Sequence, residues 1–95
     1  MEAVTIRIGP LVFDHADYDP EGDVLYLHVG PPQAAEGEET PEGHVLRFAP
    51  GSQRIIGLTV INARRVLNRD GRLIVTVPET VEASADEIAP ALHAA

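Results

Sequence analysis

The sequence predicts an α+β domain: a small antiparallel, meander-like sheet of about five to seven strands with a short C-terminal helix. Three observations carry this. Short apolar or alternating runs recur between clusters of Gly, Pro, Asp and Asn. Ser84-Ala85-Asp86-Glu87, near the C-terminus, has the spacing of a helix start. At 95 residues the chain fits one domain, 1–95, and leaves no room for two ordinary ones.

Val4-Thr5-Ile6-Arg7-Ile8 alternates apolar and polar residues and reads as a half-buried strand. Gly9-Pro10 breaks it, and Leu11-Val12-Phe13 starts a second strand continuing towards Tyr18. Asp19-Pro20-Glu21-Gly22-Asp23 is dense in turn formers. Val24–Val29 is the clearest strand, with Leu25, Leu27 and Val29 on one face and Val24, Tyr26 and His28 on the other. Residues 30–43 form a polar connection, expected to be mobile, with room for a short edge strand near Ala35–Glu39.

Val45–Phe48 and Ile55–Ile61 form a hairpin around Pro50-Gly51-Ser52-Gln53. Ala63–Leu67 has room for one helical turn, and Asn68-Arg69-Asp70-Gly71 reads as a turn. Leu73–Val77 is the last strand, closed by Pro78. Residues 84–95 read as a short helix or a frayed tail, with Ser84 as N-cap and Ile88 and Leu92 on one face. Pro90 is awkward there, because it removes a hydrogen bond to Asp86 and predicts a short, kinked or split helix.

Seven basic residues, all Arg, face fifteen acids, and the net charge is −8. Residues 10–43 hold nine acids and no Arg, whereas residues 44–77 hold six Arg and one acid, Asp70. These blocks either mix in space or polarise the surface. The absence of Cys excludes a disulfide frame, a Cys-zinc site and a thiol nucleophile. No apolar run approaches the roughly 18 residues of a membrane span. Met1-Glu2-Ala3-Val4-Thr5 lacks the basic head and apolar stretch of a signal peptide. The expectation is a cytoplasmic protein away from the membrane.

Several strands are apolar on both faces. A single sheet with one short helix cannot cover both, so either the sheet curls into a small barrel or sandwich, or a partner covers the second face. This points to a homo-oligomer, a dimer first, with Tyr26, Ile55, Leu58, Val60 and Ile74 as interface candidates.

Tyr18-Asp19-Pro20-Glu21-Gly22-Asp23-Val24-Leu25-Tyr26-Leu27 resembles a small bacterial family, the domain of unknown function twenty-two eighty-three. The acidic Glu36, Glu38 and Glu39 and the strand Ile55-Ile56-Gly57-Leu58-Thr59-Val60-Ile61 extend the likeness, which spans residues 18–63. The chain departs from that pattern at Arg47-Phe48-Ala49-Pro50 and at Thr59, where the family has acidic residues. The resemblance implies a small strand-rich α+β fold and brings no activity with it.

Asp17-Tyr18-Asp19-Pro20-Glu21-Gly22 places oxygen ligands at alternate positions before a Gly, like the start of a calcium loop. Its twelfth position is His28, inside a strand, and flanking helices are absent, so a polar hairpin turn is the better reading. His28 and His44, meeting across strands beside Glu36 or Glu42, would make a metal or acid–base site, although strand-surface histidines are commoner. The candidate ligands of a divalent cation, the one cofactor left open, are Asp17, Asp19, Glu21, His28 and His44. Arg64 and Arg65 are candidate phosphate contacts, set against salt bridges to the acidic segments. Net charge argues against general nucleic-acid binding. Ser52 and Ser84 lack a nucleophile-elbow context, and phosphate-loop and dinucleotide motifs are absent.

The leading expectation is a non-catalytic homodimeric interaction module. The second is a small-ligand or divalent-metal-binding protein that uses His28, His44 and the acidic loop, in the extreme a minimal hydrolase. The third is an acidic, antitoxin-like regulatory partner of a basic protein.

Overall fold

A computed structural model describes residues 5–31, 33–77 and 79–93. The fold is α+β and mostly antiparallel. Nine strands and two helices lie among the described residues.

β1 (Ile6–Ile8) and β2 (Leu11–Phe13) form a hairpin through Gly9, which turns at φ 58°. Here the expected continuous run from Leu11 to Tyr18 breaks in two. Beyond Asp14 the chain enters a different sheet as β3 (His15–Asp19). β3 pairs with β4 (Val24–His28), and β5 (Glu36–Glu39), β6 (Val45–Phe48) and β7 (Ile55–Ile61) follow. The five make one sheet in the order β3-β4-β7-β6-β5. Each run, β3-β4 and β5-β6-β7, is a meander, and β4 against β7 joins them. β5 is the edge strand foreseen inside the 30–43 connection.

α1 (Ala63–Asp70) is longer than the single expected turn. The helix runs through Asn68-Arg69-Asp70 and ends at Gly71, which takes φ 72° and donates its N–H to the Leu67 carbonyl at 2.9 Å. β8 (Arg72–Val77) then pairs with β9 (Glu79–Ser84), a strand the sequence did not announce; Pro78 lies outside the described residues. α2 (Ala85–His93) is one helix and does not split at Pro90. Ser84 and Glu87 close the expected capping box: the Ser84 N–H donates to Glu87 Oε1 at 3.0 Å, and the Glu87 N–H to Ser84 Oγ at 3.3 Å.

The apolar residues of the main sheet's two faces have different fates. Tyr18, Leu25, Leu27, Leu46, Leu58 and Val60 point into one core. The two hairpins and both helices cover that face with Ile6, Ile8, Phe13, Leu67, Leu73, Val75 and Ile88. The chain therefore folds over its own sheet. Leu58 and Val60 are 0% and 1% exposed. They belong to the core, not to a surface where a second copy could reach them. Ile55 packs half-buried against the same core, and Ile74 is half-buried on the outward side of β8. Of the five interface candidates only Tyr26, 42% exposed, stands clear of the protein.

Candidate functional site

The other face of the main sheet carries most of the chemistry. Strand register sets it out in rows. His15 lies opposite His28, His28 opposite Gly57, and Gly57 opposite Arg47. One row along lie Asp17, Tyr26, Thr59 and Val45. Gly57 thus forms a bare floor between His28 and Arg47. An added Cβ there would lie 3.1 Å from the Leu27 carbonyl oxygen and 3.4 Å from the Arg47 stem. Above it opens a cleft of about 330 Å³, lined by Asp17, Tyr26, His28, Arg47, Gly57 and Thr59, with Pro31, Gln33 and Ala35 from the polar connection along its side. That volume lies at the lower end of the range for small-molecule sites.

A closed ring of interactions fixes one wall. Asp14 Oδ1 accepts from His15 Nδ1 at 2.6 Å and from the Gly30 N–H at 2.8 Å. The Gly30 carbonyl accepts from His28 Nδ1 at 2.8 Å, and the His15 and His28 rings stack with centroids 4.7 Å apart. The amide of Gly30, and after it the His15 ring, hold the Asp14 carboxyl below its ordinary range. A carbonyl can only accept, so His28 Nδ1 carries a proton. In the neutral ring Nε2 is then a free acceptor, 3.9 Å from Asp17 Oδ2. On the far wall Arg47 Nε donates to Thr59 Oγ1 at 3.1 Å.

The metal candidates are not brought together. Asp17 does approach His28. Asp19 turns back to accept the Glu21 N–H at 3.1 Å, and Glu21 is exposed in the turn. His28 and His44 do not meet. His28 pairs with Gly57 and His44 bonds to Ile61, so they stand about 13 Å apart along β7. His15 is no substitute. A metal lies in the plane of each imidazole that binds it, and two rings stacked at 19° cannot both aim a lone pair at one ion. Among the described residues no group of three His, Asp or Glu side chains could hold a metal.

His44 has a different role. It is 3% exposed, and its Nδ1 accepts the Ile61 N–H at 3.2 Å. Burial pushes its pKa below the ordinary 6.5, against the smaller opposing pull of the Glu42 carboxylate. Glu42 ties the β5–β6 turn to β8, accepting from the Thr76 N–H at 3.0 Å and the Thr76 hydroxyl at 2.7 Å. Burial alone would raise the Glu42 pKa, but these bonds outweigh it and lower it.

Arg64 and Arg65 follow Ala63 in the first turn of α1. The groups that would hold an anion there are already engaged by Asp23, whose Oδ1 accepts the Arg64 N–H at 2.8 Å and whose Oδ2 accepts the Arg65 N–H at 3.2 Å. The Arg64 guanidinium lies over the Tyr18 ring, 5.5 Å from its centroid. The expected salt bridges from these arginines to the acidic segments are not found among the described residues, where Arg pairs only with Asp70 and Glu82.

No family model, no curated protein and no solved structure matches the chain. Among the described residues no helix is long and apolar enough to cross a membrane. Arg47 and Gly57 went unnoticed in the sequence as site residues. The alternation of Val45-Leu46-Arg47-Phe48 puts Arg47 opposite Leu46 in direction, but only long-range pairing puts it beside Gly57 and across from His28.

Proposed function

We propose that this protein binds a small polar molecule in the cleft over Gly57, as a binding module with no catalytic step assigned to it. The observation that supports this is convergence. Four strands bring a carboxylate, a phenol, an imidazole with a free nitrogen and a guanidinium around one glycine floor. The homodimer reading loses Leu58 and Val60 to the core. The likeness of residues 18–63 to a family of unknown function adds no activity.

The test is a two-dimensional ¹H–¹⁵N NMR titration with pools of small polar metabolites. Binding in the cleft moves the amides of Tyr26, His28, Arg47, Gly57 and Thr59 together. Shifts confined to other parts of the protein, or none with any pool, would refute it.

One observation favours self-association as a second reading. The outer face exposes Tyr26 beside the half-buried Val24, Val45 and Ile61. Both edges of the sheet are unsuited to pairing with a second copy, because β3 carries Asp17 and Asp19, and β5 reads Glu-Gly-Glu-Glu with every residue exposed. A dimer would therefore use the face. Light scattering at low and high salt decides it: a dimer that survives high salt supports an apolar face contact, and a monomer at both removes it.

A further inference from the structure

We propose that the cleft takes a small molecule with a carboxylate at one end and a hydrogen-bond donor, an ammonium or a hydroxyl, at the other. This rests on the cleft being the binding site.

Arg47 sets the carboxylate end. Its stem crosses the bare Gly57, since a Cβ added at Gly57 would lie 3.4 Å from both Arg47 Cβ and Cδ. Its Nε–H is used by the hydroxyl of Thr59, which is 5% exposed and therefore fixed in the sheet. That bond orients the guanidinium plane and leaves the two terminal nitrogens for a ligand. Among the described residues no carboxylate comes within ion-pair distance of Arg47. A planar fork of N–H donors matches the two oxygens of a carboxylate. Arg47 is the one arginine lining the cleft of a chain of net charge −8, which suits a single negative charge better than a phosphate dianion.

The opposite wall offers acceptors. His28 has its Nδ1–H committed to Gly30, which leaves Nε2 as the ring nitrogen facing the cleft, and Asp17 Oδ2, a carboxylate oxygen that accepts, stands 3.9 Å from that nitrogen. A ligand group that donates fits between them; a second carboxylate would be repelled by Asp17. The backbones of His28 and Arg47 lie on either side of Gly57, two strand spacings or about 10 Å apart, and both side chains reach inward. A short linear molecule spans what is left.

The experiment is the same NMR titration with four probes: 4-aminobutyrate, acetate, its neutral isostere acetamide, and inorganic phosphate at matched ionic strength. The expected result is that 4-aminobutyrate moves the cleft amides, acetate does so more weakly, and acetamide does not. Arg47→Gln should weaken 4-aminobutyrate and acetate alike, on the order of tenfold or more. Asp17→Asn should weaken 4-aminobutyrate and spare acetate. Both positions are exposed, and the undisturbed remainder of the spectrum shows that each variant is folded. Acetamide binding as well as acetate, phosphate binding ahead of 4-aminobutyrate, or an Arg47→Gln variant with unchanged affinities would each overturn the inference while leaving a cleft that binds something. Silence from all four probes and from the metabolite pools would overturn the cleft reading with it.

Discussion

Replacing His44 by Asn should flatten the stability of this protein between pH 7 and pH 5. His44 Nδ1 accepts the Ile61 N–H at 3.2 Å, which requires that nitrogen to be unprotonated. The buried ring, 3% exposed, resists a charge, and its pKa lies below 6.5 in the folded protein. In the unfolded chain it titrates near 6.5. Between those two values the unfolded state holds more protons, so stability rises with pH there. The contribution of neutral His44 is complete above about pH 6.5, falls as the pH drops below it, and stops falling below the folded pKa. The steepest slope one group can give is about 1.4 kcal/mol per pH unit. Asn places an oxygen near the position of Nδ1 and does not titrate, so it keeps the acceptor and removes the proton. His44→Leu removes the acceptor as well, leaves the Ile61 amide unpaired, and should cost about 1–3 kcal/mol even at pH 7. Urea unfolding of wild type and His44→Asn at pH 7, 6 and 5 measures the effect as a difference of slopes. Parallel stability curves for the two proteins across that range would refute the assignment.

Three further outcomes are expected. Asp23→Ala loses acceptors for the Arg64 and Arg65 amides and for the Tyr18 hydroxyl, and should cost about 1–2 kcal/mol in thermal or urea unfolding at pH 7. Although partial burial opposes it, the Tyr18 hydroxyl and the two amides hold the Asp23 carboxyl below 3.8. The gap between wild type and Asp23→Ala should therefore be full above that pH and close as the carboxyl protonates below it. Leu58→Ala, at a position 0% exposed, should cost about 3 kcal/mol by urea unfolding and leave the solution mass unchanged at native pH. Ser84→Ala opens one side of the capping box and should cost about 1 kcal/mol, with faster hydrogen exchange at the first amides of α2.

What could be read in the sequence was local. The capping box needs only three residues of spacing, and Val24–His28 shows its alternation within one segment. β5 was legible because a short stretch of three glutamates and a glycine suits an exposed edge. β9 was not: Glu79-Thr80-Val81-Glu82-Ala83-Ser84 holds few apolar residues, and its pairing with β8 makes it a strand. Asn68-Arg69-Asp70-Gly71 has the composition of a turn, yet the same Gly71 serves to end a helix, and tertiary packing of Leu67 decides between the two. The site depended on distance most of all. The sequence suggested His44 as the partner of His28, and sheet order gave it His15 instead. Apolarity on both faces of a strand reads as a demand for cover, and the hairpins and helices of the same chain supply that cover for the core face.

Asp23 has a consequence for the order in which the molecule assembles. α1 spans eight residues, too few to persist alone in water, and the residue at its start, Asn62, gives it no side-chain cap. Asp23 supplies that cap from 41 and 42 positions upstream, and its own carbonyl accepts the Ala63 N–H at 3.0 Å. Those acceptors are in place only when the β3–β4 turn has closed, with Asp23 at φ 55° and Tyr18 bonded to its carboxylate. The helix is thus nucleated by a hairpin far away in sequence. Helix and hairpin should open together, as one cooperative unit, so the Arg64 and Arg65 amides should exchange with solvent at the rate of the β3–β4 ladder and not as a fraying helix end.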